Sequence, residues 1–512
     1  MRINETVFGK ATMSDTKQGD PWYRPRNVSL AFLVAVLLFL GWAFLEVWQV
    51  YTAEPNPVVD YRAKLRELAE YHAGISSYDA DNAWDLLVDA MNLADEIDAE
   101  LVLQLASTDF EPRDEYDQGS IEYDRVYYGR TLPTNIQREA RAIELMRKEG
   151  VFDLLQQFVE SGPGIAPSGP EMPLIIGITD PYRSEARMLA QVLVASMRLS
   201  LADGDYNQVA AACNASLALG STISYQGRGI DYLTAMAIEQ LTLRELRYEL
   251  IEAALDEVTC QRILTALRQH DLAPIELPIK GERICLYDKL QWSFSDDGNG
   301  DGYLVSALTE FDMPGLAVPK QSFVDATTSR FFYPSRAELL SLADPTIDAC
   351  LARSLLLPSS RISATPTLGS FSTGFSDRYV MVTLILDSLQ QFVDRQPARR
   401  ISREGTRIML ALEAFYARHS RWPDSLGELV PEILPQPPVD PLHGGPFGYR
   451  LVDSDRFGRP YILYSFGLDA TDDGGIEFNS GTNDVYRGVE PLTDYNLTDV
   501  DYVINKPRPE EW

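Results

Sequence analysis

The chain has 512 residues, of which 45% are hydrophobic and 23% are charged, and its formal net charge is −30. The length and apolar content indicate a globular protein of about two or three domains with a sizeable core. The negative charge argues against nucleic acid or an anionic lipid surface as the main partner, because both would repel the chain. It suits divalent cations or basic proteins, and solubility alone is the alternative explanation.

The first predicted element is a transmembrane helix over residues 28–51, VSLAFLVAVLLFLGWAFLEVWQVY. No charge precedes Glu46 in it, and roughly 20 apolar residues suffice to cross a bilayer core. Trp22 lies before the run and Trp48 near its end, as interfacial aromatic residues do, with basic residues before the run and acidic residues at its far end. This predicts a single-pass inner (cytoplasmic) membrane protein with residues 1–27 in the cytoplasm and the bulk in the periplasm. A cleaved signal peptide is the alternative, but no A-x-A site follows the run.

Residues 58–400 are predicted to form a helical domain. Segments with helical periodicity alternate with short polar breaks such as ADGD at 202–205, which is typical of antiparallel helix pairs. Residues 184–219 resemble a tetratricopeptide repeat in the GDY turn, although Val209 replaces the usual small residue and no second copy follows at about 34 residues. A stack of helical hairpins and an irregular helical domain therefore both remain open.

Cysteine and histidine are too sparse to indicate a metal site or an acid–base centre. No CxxC or HExxH pattern occurs, so zinc is not expected. Buried free thiols are favoured over disulfides, which outside the cytoplasm could pair in three ways. The four cysteines are Cys213, Cys260, Cys285 and Cys350.

An acidic, glycine-rich loop, SDDGNGDGYLV, occupies residues 295–305. Asp297, Asn299 and Asp301 alternate and are followed by glycine, as at the start of an EF-hand calcium loop. The twelfth position is Leu308 rather than a bidentate glutamate. The loop therefore predicts either a calcium ion held by these three side chains or a solvated turn.

The C-terminal part is predicted to be a small α+β domain over residues 402–488. A helix over about 403–419 precedes the capping box SLGE, and FGYRLVD and RPYILYSFG then alternate like two antiparallel strands. Residues 489–512 are left as a C-terminal tail. The expected fold class is thus mostly α, with one transmembrane helix, a central domain of helical hairpins or repeats, and this small domain.

The succession FYARHSRWPDSLGELV, VDPLHGGPFGYRL and YSFGLDATDDGG resembles the globular domain of the major pseudopilins of type II secretion systems. The resemblance covers under a fifth of the chain. It implies that the last loop folds around one calcium ion, with Asp469 and Asp484 as side-chain ligands and Asp472 and Asp473 as additional oxygens. The N-terminus has no pseudopilin leader and Glu46 lies at the wrong end of the apolar run. We therefore expect a shared fold and calcium site rather than a pilus subunit.

These features predict a membrane-anchored, extracytoplasmic scaffold that works by protein–protein contact near a secretion or envelope assembly. Nothing resembles G-x-S-x-G or G-x-x-x-x-G-K-[ST], so an enzyme is the less favoured class. The alternative is an envelope hydrolase with paired carboxylates. That function requires a deep cleft holding two acidic residues with raised pKa values.

Overall fold

The computed structural model describes residues 25–106, 133–167, 182–296, 302, 304–305, 327, 333–361, 380–453, 455, 457–475 and 501–508. Within these ranges the chain is mostly helical, and its three strands form one antiparallel sheet. The predicted class, mostly α with a small antiparallel sheet, is confirmed at this level.

Helix α1, Pro25–Thr52, carries its apolar residues all round and leaves most of them exposed. Phe32 is 71% exposed and Leu38 is 70% exposed. Among the described residues, α1 is the one helix long and apolar enough to cross a membrane. It therefore has the length and surface of a membrane anchor or of a signal sequence, as expected for residues 28–51.

The linker after α1 is held against the helical body. Helix α2 begins at Tyr61, where the side chain of Asp60 accepts a hydrogen bond from the amide of Ala63. Immediately before it, the Val59 amide donates to Gln291 Oε1 over 3.1 Å, and Gln291 Nε2 donates to the Val59 carbonyl over 2.8 Å. This reciprocal pair fixes the end of the linker to the helix that carries Gln291.

The body consists of helices joined mostly by short turns. Asp205 and Asp256 cap two of them by accepting hydrogen bonds from the amides of Gln208 and Thr259, and Gly204 takes the positive φ that the preceding turn needs. The segment 184–219, which resembles a repeat, is a helical hairpin. The helices are α2 Tyr61–Ala73, α3 Ser77–Ala106, α4 Pro133–Lys148, α5 Val151–Ser161, α6 Tyr182–Ala202, α7 Tyr206–Ser224, α8 Gly229–Glu252, α9 Glu257–Gln269, α10 Glu276–Ser293, α11 Arg336–Ser354 and α12 Pro358–Arg361.

The longest helix, α13, spans Val380–His419 and runs through residue 402, where the sequence predicts a domain boundary. Pro397 within it has no amide hydrogen, so the carbonyl of Val393 loses its usual helical donor. The buried Arg361 guanidinium supplies one, donating to Val393 over 3.3 Å and also to the carbonyls of Ser354 and Leu356 over 2.7 and 3.0 Å. A single arginine thereby joins the end of α11 to the proline position of α13.

The sheet consists of β1 Gly448–Leu451, β2 Tyr461–Ser465 and β3 Tyr502–Val503 in the order β1-β2-β3. A 3-10 helix, Leu426–Leu429, precedes it. Strand β3 lies in the segment that the sequence leaves as a tail. Buried Asn505 extends its pairing, because its side chain accepts from the Leu463 amide and donates to the Tyr461 carbonyl.

One hydrophobic core continues from the helical body into the sheet, including Leu193, Leu264, Phe415, Leu463 and Ile504. All four cysteines are free and buried, in agreement with the favoured prediction. Burial raises the pKa of the Cys213 thiol to about 12, so this thiol is protonated at neutral pH.

Candidate functional site

Within the described residues, polar side chains concentrate in the acidic loop after β2 and in a cleft lined by arginines. In the acidic loop, Asp469 Oδ1 accepts the amide of Thr471 over 3.1 Å, as in an Asx turn. Asp472 Oδ1 accepts the Tyr464 hydroxyl over 3.0 Å and the Gly474 amide over 2.9 Å. Asp469, Asp472 and Asp473 are all exposed. The predicted ligand Asp484 lies outside the described residues.

A further carboxylate, which the sequence interpretation missed, reaches this loop from the segment that carries β3. Asp501 is 5% exposed, and its Oδ2 accepts the Gly475 amide over 2.7 Å. Its Oδ1 is buried with no well-aligned hydrogen-bond donor among the described residues. Burial and the negative charges of Asp472 and Asp473 raise the pKa of Asp501, and the backbone amides of Gly475 and Asp473 oppose that rise. The loop therefore concentrates negative charge around one unpaired oxygen.

Carboxylate oxygens without hydrogen-bond donors are the ligands that hard cations such as calcium prefer. Asp501 Oδ1 has no well-aligned donor among the described residues, which makes the loop chemically suitable for calcium. Within the described part of the chain, however, no three His, Cys, Asp or Glu side chains group closely enough to hold a metal ion by themselves. A cation here would need backbone carbonyls or residues from 476–500 in addition.

The earlier acidic loop is closed at its base. Phe294 and Leu304 form an antiparallel bridge, and the buried Asp296 carboxylate lies 3.2 Å from Arg336. Gly302 approaches so closely that an added Cβ would lie 2.2 Å from the Asp296 amide nitrogen. These contacts account for a turn that needs glycine. The candidate ligands Asp297, Asn299 and Asp301 lie outside the described residues.

The structure also brings a serine, a histidine and an aspartate together in the DPLHGGPFGY segment and β2. His443 Nε2 lies 3.1 Å from Asp440 Oδ2, and the Ser465 hydroxyl lies beside the same carboxylate. A hydrolytic triad needs the histidine between the serine and the aspartate, whereas here the carboxylate is in the middle. Asp440 Oδ1 also accepts the Leu442 amide over 2.8 Å, so the cluster shapes a turn.

The second region is a cavity of about 590 Å³, which we name the arginine cleft. Its walls are the α9–α10 connection (271–276), the middle of α13 and the proline-rich segment 435–441. Residues 396, 399, 400, 403 and 407 recur at helical spacing and so lie along one face of α13. The arginines are Arg399, Arg400, Arg403 and Arg407.

Three of these arginines are paired with carboxylates. Arg399 Nε lies 3.1 Å from Glu239 Oε2, and Arg403 also pairs with the buried Glu239. Asp271, at the mouth of the cleft, pairs with Arg399. Arg407 Nη2 lies 2.7 Å from Glu404. The pairs fix the guanidinium groups in place, because a buried charge pair without its partner is strongly destabilising.

The protonation of these pairs follows from their mutual charge. Burial alone would raise the pKa of Asp271, but the charges of Arg399 and Arg403 outweigh burial and lower it. Burial likewise disfavours charged Arg399, and Glu239 outweighs that effect and raises its pKa. Asp271 and Arg399 therefore stay ionised at neutral pH.

Arg400 differs from its neighbours. It is half-buried, lines the cleft, and has no ion pair or hydrogen bond within the described residues. Burial, and then the positive charges of Arg400 and Arg353, lower the pKa of Arg361 to about 10. Among the described residues, the positive charge of Arg400 therefore has no direct partner.

The cleft does not carry the signature that the hydrolase alternative requires. Asp271, Glu276 and Glu404 are the carboxylates that line it, and the pKa of Asp271 is lowered. Carboxyls whose pKa burial raises, such as Glu282 and Glu413, are not among the lining residues. The hydrolase therefore gains no support from this cleft.

The sequence offered one signal for the cleft that our interpretation did not use. The stretch RQPARRISREGTR, residues 395–407, has five arginines and one acidic residue in a strongly acidic chain. Comparison of the chain with protein-family models, curated proteins and solved structures finds no match.

Proposed function

We propose that this protein is a membrane-anchored, extracytoplasmic scaffold that works by protein–protein contact. The observation that carries the proposal is the exposed, apolar α1 followed by a folded body after a short linker. Only residues 53–60 separate α1 from α2, and the reciprocal bonds between Val59 and Gln291 hold that linker to the body. An anchor joined to the body by so short and firmly held a linker keeps a large binding surface next to the membrane.

The orientation and the setting are further parts of the proposal. The basic residues before α1 favour a cytoplasmic N-terminus and a periplasmic body. The pseudopilin-like order of motifs in residues 402–488 favours a secretion or envelope assembly as the setting. Partners are then proteins of that assembly, with no role for nucleic acid.

Membrane fractionation with site-directed labelling tests the anchor and its orientation. Exposed single cysteines at positions 160 (α5) and 262 (α9), introduced into the full chain, should react with an impermeant maleimide from the periplasmic side. The four native thiols should not react with the maleimide because they are buried. Extraction of the chain by alkaline carbonate, or labelling only after cell lysis, would contradict the proposal.

We further propose that the loop 466–475, together with Asp501, binds one calcium ion that stabilises the sheet. Support comes from Asp501 Oδ1, which has no well-aligned donor among the described residues, and from the charge of Asp472 and Asp473. Asp469 and Asp484 are the other proposed ligands. Calcium at about 100 times its Kd should stabilise the native chain by about 2.7 kcal/mol.

Thermal melting of the full chain in detergent, with calcium or with chelator, measures this effect. Asp501→Asn keeps an acceptor for the Gly475 amide and relieves repulsion, so its melting temperature without calcium should be equal or higher. The variant should lose the calcium response. A calcium response that persists in Asp501→Asn, or none in the natural chain, would refute the site.

A further inference from the structure

We propose that the arginine cleft binds an extended acidic peptide of a partner protein, with a carboxylate on Arg400 and an adjacent apolar side chain on the Leu355 and Val439 rim. The proposal rests on the scaffold function and names the chemistry of its partner. It combines a cation and a buried acceptor that have no partner among the described residues with an exposed apolar rim, all at one cavity.

The first step is the unpaired charge. Glu239, Asp271 and Glu404 neutralise Arg399, Arg403 and Arg407, which leaves Arg400 as the guanidinium without a partner in the described cleft. A guanidinium presents a rigid fork of donors that matches a carboxylate. Although the chain has a net charge of −30, this guanidinium attracts an acidic ligand at its own position in the cleft.

The second step is Gln396, which also lines the cleft and is 5% exposed. Its Nε2 donates to the Tyr232 hydroxyl over 2.8 Å, whereas its Oε1 has no donor among the described residues. A buried amide with an unused acceptor is costly unless a ligand supplies a donor. A peptide N–H supplies that donor, and a simple inorganic anion without hydrogen does not.

The third step is the apolar rim. Leu355 is 61% exposed and Val439 is 53% exposed, and both line the cleft. Prolines at 435, 437 and 441 form the neighbouring wall and have no amide hydrogen to pair with a strand. The wall therefore favours side-chain recognition over strand addition.

The charges of the walls also select among anions. Asp271, Glu276 and Glu404 share the cleft with the arginines, so a multiply charged phosphate would meet three carboxylates. A single carboxylate on Arg400 carries less negative charge than a phosphate, so the same three carboxylates repel it less. The cavity volume also lies within the range of roughly 300–1,000 Å³ that is usual for ligand sites.

Fluorescent hexapeptides that contain Glu, Leu and Gly in all orders, tested against the full chain in detergent micelles, provide the assay. Fluorescence anisotropy should detect peptides with Glu next to Leu, and a matched set with Gln in place of Glu should bind about tenfold or more weakly. Arg400→Gln should weaken the Glu set to the level of the Gln set, and Arg400→Lys should retain part of the binding. Val439→Ser, in the proline-rich segment that lines the cleft, should weaken both sets.

Arg141→Gln is the matched control, because it removes an exposed arginine on α4 and should leave binding unchanged. The proposal is overturned if no Glu peptide binds, if Arg400→Gln binds the Glu set as well as the natural chain, or if inorganic phosphate displaces the peptides as effectively as a Glu peptide does. If the natural chain binds no Glu peptide while α1 is still integral to the membrane, the peptide-binding proposal is rejected and the proposed anchor is not. If the chain is not integral to the membrane but still binds the Glu peptides, the proposed anchor is rejected and the peptide-binding proposal is not.

Discussion

Glu413 is a carboxyl inside the protein, on α13 beside Cys260 of α9 and Tyr461 of β2. It is 5% exposed, and burial raises its pKa from 4.5 to about 8. In the unfolded chain the same carboxyl ionises near its ordinary value. Between these two pH values the folded state therefore holds a proton that the unfolded state has released, and stability falls as the pH rises.

The size of the effect follows from the two pKa values. Stability linked to Glu413 is fully present below about pH 4.5 and is lost up to about pH 8, after which it stays constant. At about 1.4 kcal/mol per pH unit, the loss is roughly 5 kcal/mol across that window. Glu413→Gln cannot ionise, so the variant should be spared this loss.

Urea unfolding of the full chain and of Glu413→Gln, both in detergent micelles, measures the difference in stability from pH 4 to pH 9. Other titrating groups are common to both chains and largely cancel in the difference. The free energy of unfolding of Glu413→Gln, relative to that of the natural chain, should increase steadily with pH up to about pH 8. Glu160→Gln, an exposed substitution on α5, should change stability by less than about 0.5 kcal/mol. A Glu413→Gln difference that does not vary with pH would refute the reasoning.

Two further substitutions test the contacts that join the parts of the body. Arg361→Met leaves the carbonyls of Val393, Ser354 and Leu356 without their donor, and should lower the free energy of unfolding by about 3 kcal/mol; Arg361→Lys should cost less. Arg508→Ala removes ion pairs of 2.9 Å to both Glu245 and Glu249 on α8, and should cost about 1 kcal/mol and speed hydrogen exchange of amides in β3.

The Arg508→Ala variant also has an expected pH dependence. Burial raises the pKa of Glu249, and Arg508 opposes that rise. Without Arg508 the pKa of Glu249 rises further, so the variant should lose more stability near neutral pH than at acid pH. Unfolding curves at the two pH values check this. Equal losses at both, or unchanged exchange of β3, would show that the C-terminal segment is held by other contacts.

The sequence predicts well the features that depend on neighbours along the chain. The apolar run of α1, the helical periodicity of the body and the alternation of β1 and β2 are all local signals. The two residues of β3 are too few for such a signal, and their pairing with β2 depends on Asn505 reaching Leu463 across the fold. Asp501 was missed for the same reason, since its place beside Asp472 is set by that pairing.

The arginine cleft also combines a feature that the sequence predicts with features that only the structure shows. The spacing of Arg399, Arg400 and Arg403 can be read from the sequence as one face of a helix. Their partners cannot, because Glu239 and Asp271 lie more than a hundred residues away in the chain. Only the packed structure shows that Arg400 alone among these three has no ion pair within the described residues.

The hydrogen bonds that tie Val59 to Gln291 have a consequence for how the molecule meets partners. If α1 is the membrane anchor that we propose, a body held by so short a connection moves with it and searches for membrane-bound partners in two dimensions. Confinement of this kind raises the effective concentration of one protein near another without any new contact. A cleft with modest affinity in solution can then be well occupied at the membrane, and a longer, unpinned linker would weaken that advantage.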